Sequence, residues 1–121
     1  MYAFERNRLF THDKIHVDII NSARLRIRET LESPVSIQQI AAESGISYSN
    51  FRKLFKEYTG VSPALYQQEL RIQRAKELLA ISDLSVKEIA YRLNFDSSDY
   101  FSSRFRAKVG MPPLEYRKKT R

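Results

Sequence analysis

The segment SIQQIAAESGISYSNFRKLFKEYTGVSP, Ser36 to Pro63, decides the fold, because the chain repeats it. From Ser85 to Pro113 it reads SVKEIAYRLNFDSSDYFSSRFRAKVGMPP. Ser36 and Ser85, Ile40 and Ile89, and Ala41 and Ala90 stand 49 residues apart. Phe51 and Phe101, Phe55 and Phe105, Gly60 and Gly110, Pro63 and Pro113, and Tyr66 and Tyr116 stand 50 apart. The second copy therefore carries one extra residue in its middle turn. Self-similarity of this length means two supersecondary units of one kind.

Each copy spells helix, turn, helix. Ser36 with Gln39, and Ser85 with Glu88, have the spacing of a capping box, so a helix starts after each serine. Those short helices, IQQIAAES and VKEIAYRL, run into Gly45 and Asn94, the two residue types that enter the left-handed region most readily. Ser47 in one copy, and Asp96 to Ser98 in the other, supply cap side chains for the next helix, which Gly60 and Gly110 close. Ser62-Pro63 then places an N-cap before proline at the first helical position, opening a helix to about Ala80. Leu65, Ile72, Ala75 and Leu79 share one face of it, widened by Leu70 and Leu78. Upstream, apolar residues from Lys14 onward recur at Val17, Ile20, Ala23, Ile27 and Leu31, and Glu32-Ser33-Pro34 closes that helix. A further short helix follows Pro113. The expected fold is all-α, about seven helices, two helix-turn-helix lobes joined by a long central helix. Residues 1–13 read as a tail or interdomain linker, 14–61 as the first lobe, 62–80 as the linking helix and 81–121 as the second lobe.

Composition narrows the function. The chain has 121 residues, 42% of them hydrophobic, and no cysteine, which excludes disulfides and thiolate metal sites. No apolar run is long enough for a bilayer, and the first ten residues lack the apolar core of a signal peptide, so a cytoplasmic location is expected. Lys and Arg number 21 against 14 Asp and Glu, a net charge of +7, which favours a polyanionic partner.

The second helix of a helix-turn-helix can enter the major groove of DNA. At 100° per residue, Phe51, Leu54, Phe55 and Tyr58 share one face of that helix in the first copy, opposite Ser49, Arg52, Lys53 and Lys56. In the second copy Phe101, Phe105 and the stem of Lys108 lie inward with Arg104 at the edge, while Asp99, Ser102, Ser103 and Arg106 lie outward. A basic outer face is ordinarily only solvated. Two copies, the turn residue and short outward serines together point to nucleic acid. Small residues let the helix approach base edges, Arg and Lys can pair with guanine, and Asn50 can pair with adenine.

Enzymatic readings lack support. There is no glycine-rich phosphate loop, nucleophile elbow or paired-carboxylate signature. His12 and His16 have a helical i, i+4 spacing but no third ligand, so neither metal nor cofactor is expected. The rival reading is a basic helical adaptor for a protein or an anionic surface, docking on Asn21, Ser22, Arg24, Arg26 and Arg28 of the first helix.

These residues carry a family resemblance. The chain from about Ile15 to Lys118 resembles the DNA-binding domain of AraC/XylS-type transcription regulators. The most specific parts are SIQQIAAESGISYSNFRKLFKEYTGVSPALYQQELRIQRAKELL and SVKEIAYRLNFDSSDYFSSRFRAKVGMPPLEYRK. The resemblance implies that residues 14–118 act as one DNA-binding domain, two recognition helices entering successive major grooves. It carries base-contact roles onto Ser49, Asn50, Arg52 and Lys53, and onto Ser98, Asp99, Ser102 and Ser103. Asn94 departs from the glycine common at that turn, and the Asp-Ser reading helix departs from the longer donors common there, so the first lobe is expected to dominate sequence choice. Such regulators usually carry a sensing or dimerisation module, not visible in Met1 to Asp13; the chain reads as either a stand-alone regulator or an excised domain, the linker-like start favouring the second, with RNA polymerase a candidate further partner.

Phosphate contacts are expected at the helix N-termini after Ser36, Ser47, Ser85 and Ser97, and from Lys56, Arg106, Arg117, Lys118 and Lys119.

Overall fold

The computed structural model describes the backbone of residues 2–121 and the side chains from Asp13 onward. Among the described residues there are seven helices and no strand: α1 (Tyr2–Glu29), α2 (Ile37–Glu43), α3 (Tyr48–Thr59), α4 (Pro63–Ile81), α5 (Val86–Arg92), α6 (Ser98–Val109) and α7 (Pro113–Thr120). The chain divides into two compact units, Met1–Glu29 with Val35–Tyr66, and Thr30–Pro34 with Gln67–Arg121. Helix α4, expected over 62–80 as the helix joining the two copies, gives its first turn to the first unit and the rest to the second. Residues 2–13, expected as a tail, are the opening turns of α1, and that helix ends at Glu29, short of the expected Glu32-Ser33-Pro34 stop.

The first unit buries Ile20, Ala23 and Ile27 of α1, Ile37, Ile40 and Ala41 of α2, and Phe51, Leu54 and Phe55 of α3. The Phe51 and Phe55 rings stand 5.8 Å apart, and Tyr66 meets Phe55 edge-on at 5.3 Å. Periodicity names a helix face without naming what covers it, and three expected inward residues are exposed: Val17, Tyr58 and Leu65. Tyr58 lies against the edge of the His16 ring at 6.3 Å.

The second unit repeats this plan. Ile72, Ala75, Leu78 and Leu79 of α4 pack with Ile89, Ala90, Leu93, Phe101 and Phe105. Phe101 and Phe105 are again 5.8 Å apart, and Tyr116 meets Phe105 edge-on at 5.6 Å. Each phenylalanine pair anchors one face of its helix by burying large apolar side chains, the main source of stability in a lobe this small.

Local signals set the ends. Both capping boxes are formed: Ser36 Oγ accepts from the Gln39 amide at 3.1 Å, and Ser85 Oγ accepts from the Glu88 amide at 3.0 Å. Gly45 and Asn94 take the left-handed turn with φ of 79° and 60°. Asn94 offsets its backbone cost through its side chain, whose Nδ2 donates to the carbonyls of Leu31 (3.3 Å) and Ser33 (2.9 Å).

Candidate nucleic-acid interface

The two candidate reading helices are α3 and α6, each twelve residues long and each capped by a serine. Ser47 Oγ accepts from the Asn50 amide at 3.1 Å, and Ser97 Oγ from the Tyr100 amide at 3.0 Å. Of the cap candidates Asp96, Ser97 and Ser98, the structure uses Ser97.

On α3 the burial of Phe51, Leu54 and Phe55 leaves Ser49, Asn50, Arg52, Lys53 and Lys56 exposed together. Among the described residues none of these three cations has a salt-bridge partner. The Arg52 guanidinium lies 5.6 Å from the centre of the Tyr48 ring, which supports the arginine from the N-terminal side of the helix. Tyr48 was not singled out in the sequence; its position four residues before Arg52 is the signal that could have found it. Asn50 and Lys53 border a shallow crevice of about 230 Å³ shared with His16, Ile46, Leu54 and Glu57, so they sit on the α1 flank of the exposed face.

On α6 the outward set is weaker. Asp99, Ser103 and Arg106 are exposed, whereas Ser98 and Ser102 are half-buried. The remaining cations of α6 turn toward α4: Arg104 Nε donates to Gln68 Oε1 at 3.0 Å, and Lys108 Nζ sits 2.8 Å from Glu69 Oε1. Just before α6, Asp96 faces the half-buried Arg71 guanidinium of α4; burial lowers the arginine's proton affinity, and the carboxylate works against that loss.

One expected phosphate ligand is employed elsewhere. Arg117 Nε donates to the Leu79 carbonyl at 3.0 Å, and its Nη2 donates to those of Ser82 (3.1 Å) and Leu84 (2.6 Å). The last carbonyls of α4 lack intrahelical partners, and this guanidinium fills that need, so Arg117 leaves the phosphate set. Lys118 and Lys119 are exposed, as are Lys56 and Arg106. Ser36 and Ser85 lie at α2 and α5, where the capping box already occupies the serine amide and the third helical amide.

The first-helix surface expected of an adaptor is partly used internally. Arg26 pairs with Glu43 at 3.0 Å, which raises its proton affinity, and Arg24 donates to Tyr66 Oη at 3.4 Å. Among the described residues no group of three His, Cys, Asp or Glu could hold a metal, and no helix is long and apolar enough to cross a membrane. The His12 side chain lies outside the described residues.

Two units with one plan, each presenting a capped helix after a left-handed turn, define a duplicated helix-turn-helix protein. Residues 40–119 match the family model of a helix-turn-helix domain. The chain belongs to the AraC-type helix-turn-helix family.

The chain is 35% identical over 109 residues to a putative HTH-type transcriptional regulator, YkgA, of Escherichia coli K12, covering 90% of this chain and 46% of that protein. It is 33% identical over 98 residues to the HTH-type transcriptional activator RhaS of Salmonella schwarzengrund, covering 81% of this chain and 35% of that one. The chain therefore spans less than half the length of these curated relatives. A crystal structure of an AraC-type transcriptional regulator from Chromobacterium violaceum superposes with a TM-score of 0.79 at 32% identity, over 85% of this chain and 92% of that one. The DNA-binding domain of AdpA, solved in complex with a target DNA, gives 0.78 at 29% identity, over 83% and 90%.

Proposed function

We propose that this chain is the sequence-specific double-stranded DNA-binding part of a transcription regulator, acting in the cytoplasm and without enzymatic activity. The observation that carries the reading is the exposed face of α3, where Ser49, Asn50, Arg52 and Lys53 stand together with, among the described residues, no acidic side chain paired to the two cations. Short side chains let the helix approach base edges, Arg and Lys can pair with guanine, and Asn with adenine.

The second reading helix has a different balance. With Arg104 and Lys108 drawn to α4, it offers Asp99, Ser103 and Arg106, with Ser98 and Ser102 beside them. Asp99 can accept from a cytosine amine but repels phosphate. The first lobe thus supplies most of the sequence choice and the second extends the site. Because the lobes are tandem copies, one protomer reads an asymmetric sequence. Two reading helices in successive grooves would be separated by about 34 Å, and a smaller separation would require the duplex to bend at about 1–6 kcal/mol. Phosphates are held by the N-terminal amides of the capped helices and by Lys56, Arg106, Lys118 and Lys119. RNA polymerase is a further partner consistent with the regulators this chain resembles.

Gel shift with a pool of random duplexes, followed by selection of the bound fraction, tests the reading. Enrichment of one asymmetric sequence is the expected result. Capture of anionic liposomes without enrichment of any duplex would replace it with the adaptor reading.

A further inference from the structure

The side of α6 turned toward α4 carries a line of polar contacts. Gln68 Nε2 donates to Tyr100 Oη at 3.1 Å, Arg104 Nε donates to Gln68 Oε1 at 3.0 Å, and Lys108 Nζ reaches Glu69 Oε1 at 2.8 Å. Tyr100, Arg104 and Lys108 are spaced i, i+4, i+8, so they run along one flank of the helix for about 12 Å. At the matching positions, 50 residues earlier, the first copy has Asn50, Leu54 and Tyr58, and Leu54 is buried. The central position of this flank is thus a buried leucine in one lobe and a hydrogen-bonded arginine in the other.

The difference matters because the two kinds of contact constrain different motions. The hydrophobic effect is non-directional. A side-chain amide that accepts on its oxygen and donates from its nitrogen is directional at both ends. Gln68 uses both ends on residues one turn apart in α6, which fixes both rotation and register. Tyr100 in turn lies 6.3 Å from Phe95, whose ring packs at 4.9 Å on Phe101, so the contact reaches the turn and the core together. Opposite the buried Phe101 and Phe105 are the exposed Asp99, Ser103 and Arg106.

We propose that Gln68 is a positioning residue for DNA reading: through Tyr100 and Arg104 it holds α6 in the rotation that presents Asp99, Ser103 and Arg106 to the groove. This rests on the DNA-binding function proposed above. Losing the amide lets α6 populate other rotations, and only the competent fraction binds well, so Gln68→Ala lowers affinity for the full site by about five- to tenfold. The loss is confined to one half of the site.

The experiment uses the full chain and the duplex it selects from a random pool. Each base pair of the selected site is changed in turn, and competition affinities are measured for the wild type, Gln68→Ala, Gln68→Glu and Tyr100→Phe. Gln68→Ala flattens base preference in the half read by the second lobe and leaves the first half unchanged. Gln68→Glu restores the profile, since a carboxylate accepts from both Arg104 and the Tyr100 hydroxyl. Tyr100→Phe, which deletes a single oxygen, gives a partial flattening in the same half and decides the matter should Gln68→Ala not fold. An unchanged second-half profile in Gln68→Ala, or equal losses in both halves, overturns the proposal while leaving DNA binding intact. A wild type that selects no duplex overturns both.

Discussion

Replacing Arg117 by alanine separates a structural arginine from a DNA-contacting one. Its guanidinium makes three hydrogen bonds to the carbonyls of Leu79, Ser82 and Leu84, which hold the end of α4 and the segment leading to α5. Hydrogen bonds from a charged donor contribute about 1.5–3 kcal/mol each when intact. The carbonyls are only part-buried, so water recovers much of that loss after truncation, and the expected cost is about 2–4 kcal/mol in total. At about 3–5 °C per kcal/mol for a chain of this size, the melting temperature falls by about 10 °C. Arg117→Lys keeps the charge but cannot span three acceptors, and recovers less than half of the loss. The assays are thermal melting by circular dichroism and gel shift against salt. If Arg117 bound phosphate instead, the alanine variant would melt normally and the log–log salt slope would shrink by about 0.9. That pair of results would refute the structural assignment.

The remaining predictions concern the turn, the reading face and the electrostatics. Asn94→Ala combines a left-handed alanine with the loss of two exposed hydrogen bonds, and costs about 1–3 kcal/mol; Asn94→Gly loses only the bonds and costs about 0.5–1.5 kcal/mol. Urea unfolding checks both, and a glycine variant at least as stable as the wild type would show that the Leu31 and Ser33 contacts contribute nothing. Arg52→Ala costs about 1–3 kcal/mol of binding to the selected duplex and relaxes its base preference, with random duplex little affected; equal losses on both duplexes would make Arg52 a phosphate contact. Six phosphate contacts give a log–log salt slope of about −5, and a flat response between 50 and 200 mM salt, roughly the range over which such sites lose most affinity, would contradict the electrostatic account.

Most of the fold was legible because its determinants are local. Serine caps, capping boxes, left-handed Gly45 and Asn94, and the paired phenylalanines all declare themselves within a few residues. Their recurrence in two copies turns weak local signals into a strong one. The exposed α3 face was legible for the same reason, since one buried stripe fixes what lies opposite. What escaped were long side chains paired across large sequence separations. Arg117 meets carbonyls 33 to 38 residues away, and Arg104 meets Gln68 across 36, with no periodicity to mark either. The start of α1 also escaped, because Met1 to Asp13 contains no clear apolar period to distinguish helix from linker. Val17 and Leu65 were misplaced because a helical face can be apolar and still lie partly open.

Hydroxyl-radical footprinting of the selected duplex, with a single protomer bound, addresses the paired-reader account most directly. Two protected patches on one side of the helix are expected, their centres about 10–10.5 bp apart, with the α3 patch deeper than the α6 patch. One patch of a few base pairs, unchanged when the sequence beyond it is randomised, would contradict reading by both lobes.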